Sequence, residues 1–184
     1  QLEMGSRSYL DAAGDGFHRD FLCRPNLAFA GRIKMQAVAM RRENLSEAVE
    51  DYLKTIYELS ANDRRASTNQ IAQALGVTPA SVSGMLKKLS ETQPPMLQYQ
   101  KHRGVTLTGE GEMVALEILR HHRLLEMYLH QVLGYDWDQV HREACRLEHV
   151  ISEDFETRID RALGHPSHDP HGDPIPTQDL DMPD

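Results

Sequence analysis

The tightest constraint on the fold lies between Ser67 and Leu89, where two helical repeats stand only a few residues apart. In the first, Ile71, Ala72 and Leu75 recur at helical spacing behind a Ser67 or Thr68 cap, and Gly76 stops the run. In the second, Thr78 offers an N-cap and Pro79 takes the first helical position, where an N–H is not needed. Val82, Met85, Leu86 and Leu89 supply its apolar stripe. A helix, a glycine turn and a proline-started second helix make a helix-turn-helix. Gln93-Pro94-Pro95 breaks the pattern. Met96–Tyr99 and Val105–Leu107 then read as two short strands around Lys101-His102-Arg103-Gly104. A hairpin with a basic tip in that place is a wing.

Upstream, Leu45, Val49, Tyr52, Leu53, Ile56 and Leu59 predict a helix capped by Ser46. Downstream, Thr108-Gly109-Glu110-Gly111 opens a long helix carrying Val114, Leu116, Leu119, Leu124, Leu125, Tyr128 and Leu129. Gly134 and Asp136 part it from a helix of roughly Asp138 to Ser152, and a last helix turns Phe155, Ile159 and Leu163 inward. The expected class is mainly α: a winged helix-turn-helix over residues 44–108, then a helical domain over 109–164. Residues 1–43 lack periodicity and are expected to be poorly ordered, with Met35 and Met40 as alternative starts. Residues 165–184, rich in Pro, His and Asp, are expected to form an extended tail rather than a packed element.

Charge supports a nucleic-acid partner only when it is resolved along the chain. The net charge is −8, yet residues 62–104 hold six basic and two acidic residues, net +4. Residues 105–163 hold 12 acidic and six basic, net −6, and the tail adds five Asp. One cationic module in an acidic chain suits double-stranded DNA. Thr78, Ala80, Ser81, Ser83 and Gly84, at the start of the second helix, are the candidates to face base edges. Lys87 and Lys88, with Lys101 and Arg103 on the wing, suit phosphates. No apolar run approaches a membrane span, and none opens the chain, so neither a membrane partner nor a secretory signal is expected and the cytoplasm is the expected location.

The helices after the wing carry the second chemistry. His122 and Glu126 are four residues apart and share a helix face. His141, Cys145, Glu148 and His149 form a stripe opposite the apolar Val140, Ala144, Leu147 and Ile151. Polar helix faces usually hold Lys, Arg, Glu and Gln. A set of imidazole, thiolate and carboxylate suits a divalent first-row metal.

With VEDYLKTIYEL, IAQALGVTPASVSGMLKKL, RGVTLTGEGE, HHRLLE, VHREACRLEHVIS and PHGDPIP in one chain, residues 44–176 resemble the diphtheria-toxin-repressor family of iron- and manganese-dependent repressors. The resemblance implies a homodimer joined through the helices after the wing, so that 109–164 is a metal-binding and dimerisation domain. It implies an activating site of Asp51, Cys145, Glu148 and His149, and an ancillary site of His122, Glu126 and His141. Iron-responsive members usually carry methionine at the place of Asp51 and cysteine at that of Cys145. Manganese-responsive members carry aspartate and glutamate there, and many add a glutamate where Lys54 stands. The hard carboxylate of Asp51 tilts the expectation to Mn²⁺, with Fe²⁺ as the alternative. The likeness is greatest to manganese-responsive members without the SH3-like domain, so water or the tail histidines His165, His168 and His171 are expected to complete the ancillary site.

A metalloenzyme is the rival class. The ligand spacing is not that of HExxH, no separate general base or nucleophile stands out, and no small-molecule substrate is expected. A repressor sensing oxidants through Cys145 alone would have no use for the surrounding His and Glu.

Overall fold

The structure is a computed structural model that describes residue 42, residues 44–60 and residues 65–183. The expected disorder of 1–43 thus falls outside the described residues, Arg42 excepted. Helix α1 (Glu47–Leu59) carries Glu47 and Glu50 in its first turn, where the helix dipole favours acids, and buries Val49, Tyr52, Leu53 and Ile56. Helix α2 (Thr68–Leu75) opens on a capping box. The Gln70 amide donates to Ser67 Oγ at 3.2 Å while the Ser67 amide donates to Gln70 Oε1 at 3.0 Å. Gly76 closes it at φ 64, a left-handed position that suits glycine. Helix α3 (Pro79–Ser90) starts behind Thr78, whose hydroxyl accepts from the Ser81 amide at 3.2 Å.

Strands β1 (Leu97–Gln100) and β2 (Gly104–Leu107) pair antiparallel, Leu97 opposite Leu107. Ala66 and Val105 exchange two backbone hydrogen bonds, 3.0 and 2.9 Å, so the wing is tied to the residue ahead of α2. One core holds α1, α2, α3 and the wing together through Leu53, Ile56, Ile71, Val82, Leu86, Leu97 and Val105.

Helix α4 (Gly109–Gln131) joins this core to a second one. Its first half places Val114, Ala115 and Leu116 in the first core, and its second half places Leu124, Leu125, Met127 and Leu129 in the other. Helices α5 (Trp137–Leu147) and α6 (Glu153–Ala162) complete the second core with Val140, Ala144 and Ile159. The start of α4 presses on the wing so closely that a Cβ on Gly111 would lie 2.0 Å from the Met96 carbonyl oxygen. Backbone on both sides of that contact must shift to admit a methyl group. Gly111→Ala is therefore expected to lower stability by about 1–3 kcal/mol or more, read as a fall in melting temperature, while Gly109→Ala, which meets nothing within 4 Å, is close to neutral.

Three expectations change. The helix expected to run to about Ser152 ends at Leu147, so Glu148 and His149 stand at and beyond its C-cap. The Glu148 carbonyl turns to His121 Nδ1 (3.0 Å) and Arg42 Nη2 (3.3 Å). Phe155 is exposed rather than inward, because α6 buries Glu156, Ile159 and Asp160 instead. The tail is looped and packed rather than extended: Ile175 enters the second core and Leu180 the first. Buried Arg120 donates to the Pro176 carbonyl at 2.7 Å, and Arg123 grips that of Pro174. No helix among the described residues is long and apolar enough to cross a membrane.

Candidate metal centre and DNA-facing surface

Ligand-type side chains gather where α1, α4 and α5 meet. Asp51, Glu148 and His149 bring one ligand atom each to within 4.8 Å of one another. His149 Nε2 lies 3.2 Å from Asp51 and 3.5 Å from Glu148, while its Nδ1 donates to Glu50 at 2.6 Å. That bond holds the ring so that Nε2 faces the other two groups. Glu148, 1% exposed, takes Lys54 Nζ on both carboxylate oxygens, at 2.9 and 2.8 Å.

A second group contains His122, His141 and Cys145 within the same 4.8 Å span. Cys145 Sγ is 3.7 Å from His141 Nε2, so the thiol stands with the two histidines and not in the Asp51 group. Glu126 touches both histidines, at 3.1 Å from His122 Nε2 and 3.0 Å from His141 Nδ1. His122 Nδ1 reaches Glu148 at 2.5 Å and thereby joins the two groups. The tail supplies a further contact, since Glu126, Asp169 and His171 form another such cluster. Of the three tail histidines only His171 does this: His165 pairs with Asp160 at 2.8 Å, and His168 with the Ser167 hydroxyl at 3.0 Å.

Carboxylate, imidazole and thiol donors drawn this closely fit a divalent first-row ion, and protons shared among them hold the cluster together without one. Burial opposes charge on His122, but bonds to Cys145, Glu126 and Glu148 win and hold its pKa at about 10. For His149, burial is likewise outweighed by Asp51 and Glu50, giving about 9. Glu126, despite burial, is held at about 2 by the two histidines.

A pH dependence follows. Both histidines have folded pKa values above the ordinary 6.5, so the stability they lend the metal-free protein is complete below 6.5 and is lost as pH rises through about 9 to 10. Metal must displace those protons. The rise in melting temperature on adding Mn²⁺ is expected to be larger at pH 8.5 than at pH 6.5, with protons released on binding. Equal shifts at the two pH values would mean that neither histidine loses a proton to the ion.

On the other domain Ala80, Ser81, Gly84 and Lys87 are exposed along the start and middle of α3, and Lys101 and Arg103 at the wing tip. Three hydroxyls expected to face bases are engaged at home, Ser83 Oγ donating to the Pro79 carbonyl at 3.0 Å and Thr78 Oγ1 meeting Ser81 Oγ at 3.0 Å. A cleft of about 390 Å³ between α2, α3 and the wing is lined by Arg65, Thr68, Ser83, Lys101 and Arg103. Sequence reasoning missed Glu50, Asp169 and Arg42, which border the candidate metal centre. Glu50 sits one residue before Asp51 and is marked by its bonds to His149 and Arg42, whereas Asp169, two residues before His171, carried a readable spacing.

Residues 44–105 match the family described as iron dependent repressor, N-terminal DNA binding domain. Residues 108–177 match the description iron dependent repressor, metal binding and dimerisation domain. The chain is 37% identical over 133 residues to the iron-dependent repressor IdeR of Mycobacterium leprae, covering 72% of this chain and 57% of that protein. It is 34% identical over 137 residues to the diphtheria toxin repressor of Corynebacterium diphtheriae, covering 74% and 60%. Among solved structures, a manganese-dependent transcriptional repressor in complex with manganese superposes at TM-score 0.67 with 42% identity, over 74% of this chain and 62% of that one. The manganese regulator SloR superposes at 0.65 with 40% identity, over 73% and 62%. The chain thus spans a little over half the length of the curated relatives it matches.

Proposed function

This chain belongs to the iron-dependent repressor family, a family of transcriptional regulators and not of enzymes, and from that premise we propose that it is a metal-activated, DNA-binding transcriptional repressor. The observation that carries the reading is the placement of Asp51. It lies on α1, within the DNA-binding domain, yet shares a ligand cluster with Glu148 and His149 at the end of α5. An ion held there would supply positive charge to three donors and favour the arrangement that brings them together. The chain's own part is to orient the donors: Glu50 holds His149, Lys54 holds Glu148, and α1 carries the result to the packed helices α2 and α3. Repression is then a population shift set by the ion's differential affinity for the DNA-competent arrangement.

The preferred ion is Mn²⁺ over Fe²⁺. Two hard carboxylates outnumber one borderline imidazole, and the soft Cys145 sulfur stands in the neighbouring group. Lys54, bound to both oxygens of Glu148, supplies in place a charge that a second divalent ion would otherwise bring. The ancillary site is His122, Glu126 and His141, with Asp169 and His171 of the tail at Glu126. The operator is double-stranded DNA, with Thr78, Ala80, Ser81, Ser83 and Gly84 at the base edges and Lys87, Lys101 and Arg103 on phosphates. The active form is a homodimer. Support comes from Val132, Leu133, Trp137, Val150 and Phe155, large apolar side chains exposed on the helical domain at the turns around α5. The regulated genes are those of cation uptake.

Fluorescence anisotropy tests this. The protein is titrated anaerobically onto DNA from upstream of a candidate manganese-import gene, with chelator, Mn²⁺ or Fe²⁺. Tight, salt-sensitive binding that requires metal is expected, with Mn²⁺ effective at a free concentration found in cells. Equal binding under chelator would sink the switch, and activation by Fe²⁺ alone would reverse the metal preference.

A further inference from the structure

Arg42 precedes the region matched to the family, which begins at residue 44, and it reaches further into the metal centre than its position in the sequence suggests. Its side chain is 9% exposed and meets three separate elements. Nε donates to Glu50 Oε1 on α1 at 3.0 Å. Nη1 donates to Glu117 Oε1 on α4 at 2.8 Å, beside His121. Nη2 donates to the Glu148 carbonyl, just past α5, at 3.3 Å.

Two of these contacts stand directly behind candidate ligands. Glu50 divides its carboxylate, Oε1 to Arg42 and Oε2 to His149 Nδ1. The guanidinium therefore fixes the plane of the group that orients the His149 ring. The same guanidinium holds the Glu148 carbonyl at the point where the helix ends, which sets the direction of the Glu148 side chain. Its remaining contact brings positive charge to the cluster of buried Glu117 and His121 with half-buried Glu153. Burial, opposed by Arg42, leaves the Glu117 carboxyl raised to about 7.

We propose that Arg42 is a positioning residue of the metal centre, presetting His149 through Glu50 and Glu148 through its carbonyl, so that the segment ahead of α1 takes part in setting metal affinity. The proposal rests on the reading of Asp51, Glu148 and His149 as a metal site. A planar fork with several donors suits this task, and the point charge of lysine does not replace it. Partners that orient metal ligands typically contribute about 10- to 100-fold in affinity.

The test measures Mn²⁺ affinity by electron paramagnetic resonance on the full chain, and the ring ¹⁵N shifts of His149 in the metal-free protein. If wild type takes up no Mn²⁺, the functional reading fails before Arg42 is at issue. With wild type binding, Arg42→Gln is expected to weaken Mn²⁺ by about tenfold and to move the ring ¹⁵N signals of His149 in the absence of metal, as the hydrogen bond to Glu50 loosens. Glu50→Gln should weaken it comparably, and the double variant should lose far less than the product of the two, since both act on one chain of contacts. Arg42→Lys keeps the charge and carries the test if the glutamine variant does not fold; an intermediate affinity is expected. Affinity within twofold of wild type in the folded Arg42 variants, with His149 shifts unchanged, overturns the proposal. So does a double variant whose losses simply multiply, because that is the behaviour of a residue acting on overall stability.

Discussion

Glu148→Gln is expected to abolish metal-dependent DNA binding while the chain still folds. The carboxylate is buried, and three groups depend on its charge: Lys54 on both oxygens, His122 at 2.5 Å and His149 at 3.5 Å. Burial raises the cost of that charge, and His122 and Lys54 together keep its pKa below the ordinary range. A glutamine retains the shape but cannot balance the Lys54 ammonium, nor serve as an anionic ligand. Loss of a ligand should exceed the 10- to 100-fold typical of supporting groups, so roughly two orders of magnitude or more in Mn²⁺ affinity is expected. Anisotropy against free Mn²⁺ checks it. A variant that responds at wild-type concentrations removes Glu148 from the switch, and one that still answers an oxidant would point to Cys145 acting as a thiol sensor.

The largest effect on stability is expected at Arg120. This residue is 3% exposed and binds Glu156 at 2.7 Å, Asp160 at 3.4 Å and the Pro176 carbonyl at 2.7 Å. Among the described residues, Arg120 and His121 compensate the charge of fully buried Glu156, and these hold its pKa down against burial. Arg120→Ala takes the guanidinium from that carboxylate and removes one of the tail's holds, its bond to the Pro176 carbonyl. Breaking a buried pair by removing one partner costs about 3–5 kcal/mol. At about 2–4 °C per kcal/mol for a chain of this size, the melting temperature should fall by roughly 6–20 °C. Arg120→Met with Glu156→Leu removes both charges and should restore much of the loss. A single variant that melts with wild type would mean that solvent reaches Glu156.

The DNA-binding half was legible because its signals are local. Ser67 with Gln70, Gly76 and Thr78-Pro79 each specify backbone geometry within a few residues, and the structure places α2 and α3 where those signals put them. Of the candidate ligand stripe, the His141 and Cys145 part lies on α5 as the helical period put it, whereas Glu148 and His149 fall past the helix end. What could not be read was set by distant partners. The end of α5 at Leu147 lies where Arg42 and His121 take the Glu148 carbonyl, and nothing in the residues around Glu148 announces it. Phe155 fits an inward stripe on period alone, yet Glu156, Ile159 and Asp160 take the buried face because Arg120 and His121 stand opposite. The tail was misjudged because composition argues only that it lacks a core of its own. It borrows two.

That borrowing sets an order of events during synthesis. Leu180 belongs to the core that Leu53, Leu86 and Val105 begin, yet about seventy residues separate it from the end of the wing. At the usual 5–20 residues per second, the first domain waits about 4 to 15 s for its last core side chain after its own strands are made. During that interval the surface around Met113, Leu116 and Gly109 that Leu180 will cover stays open. A released chain truncated before residue 180 should therefore bind chaperones more readily than one truncated just beyond it.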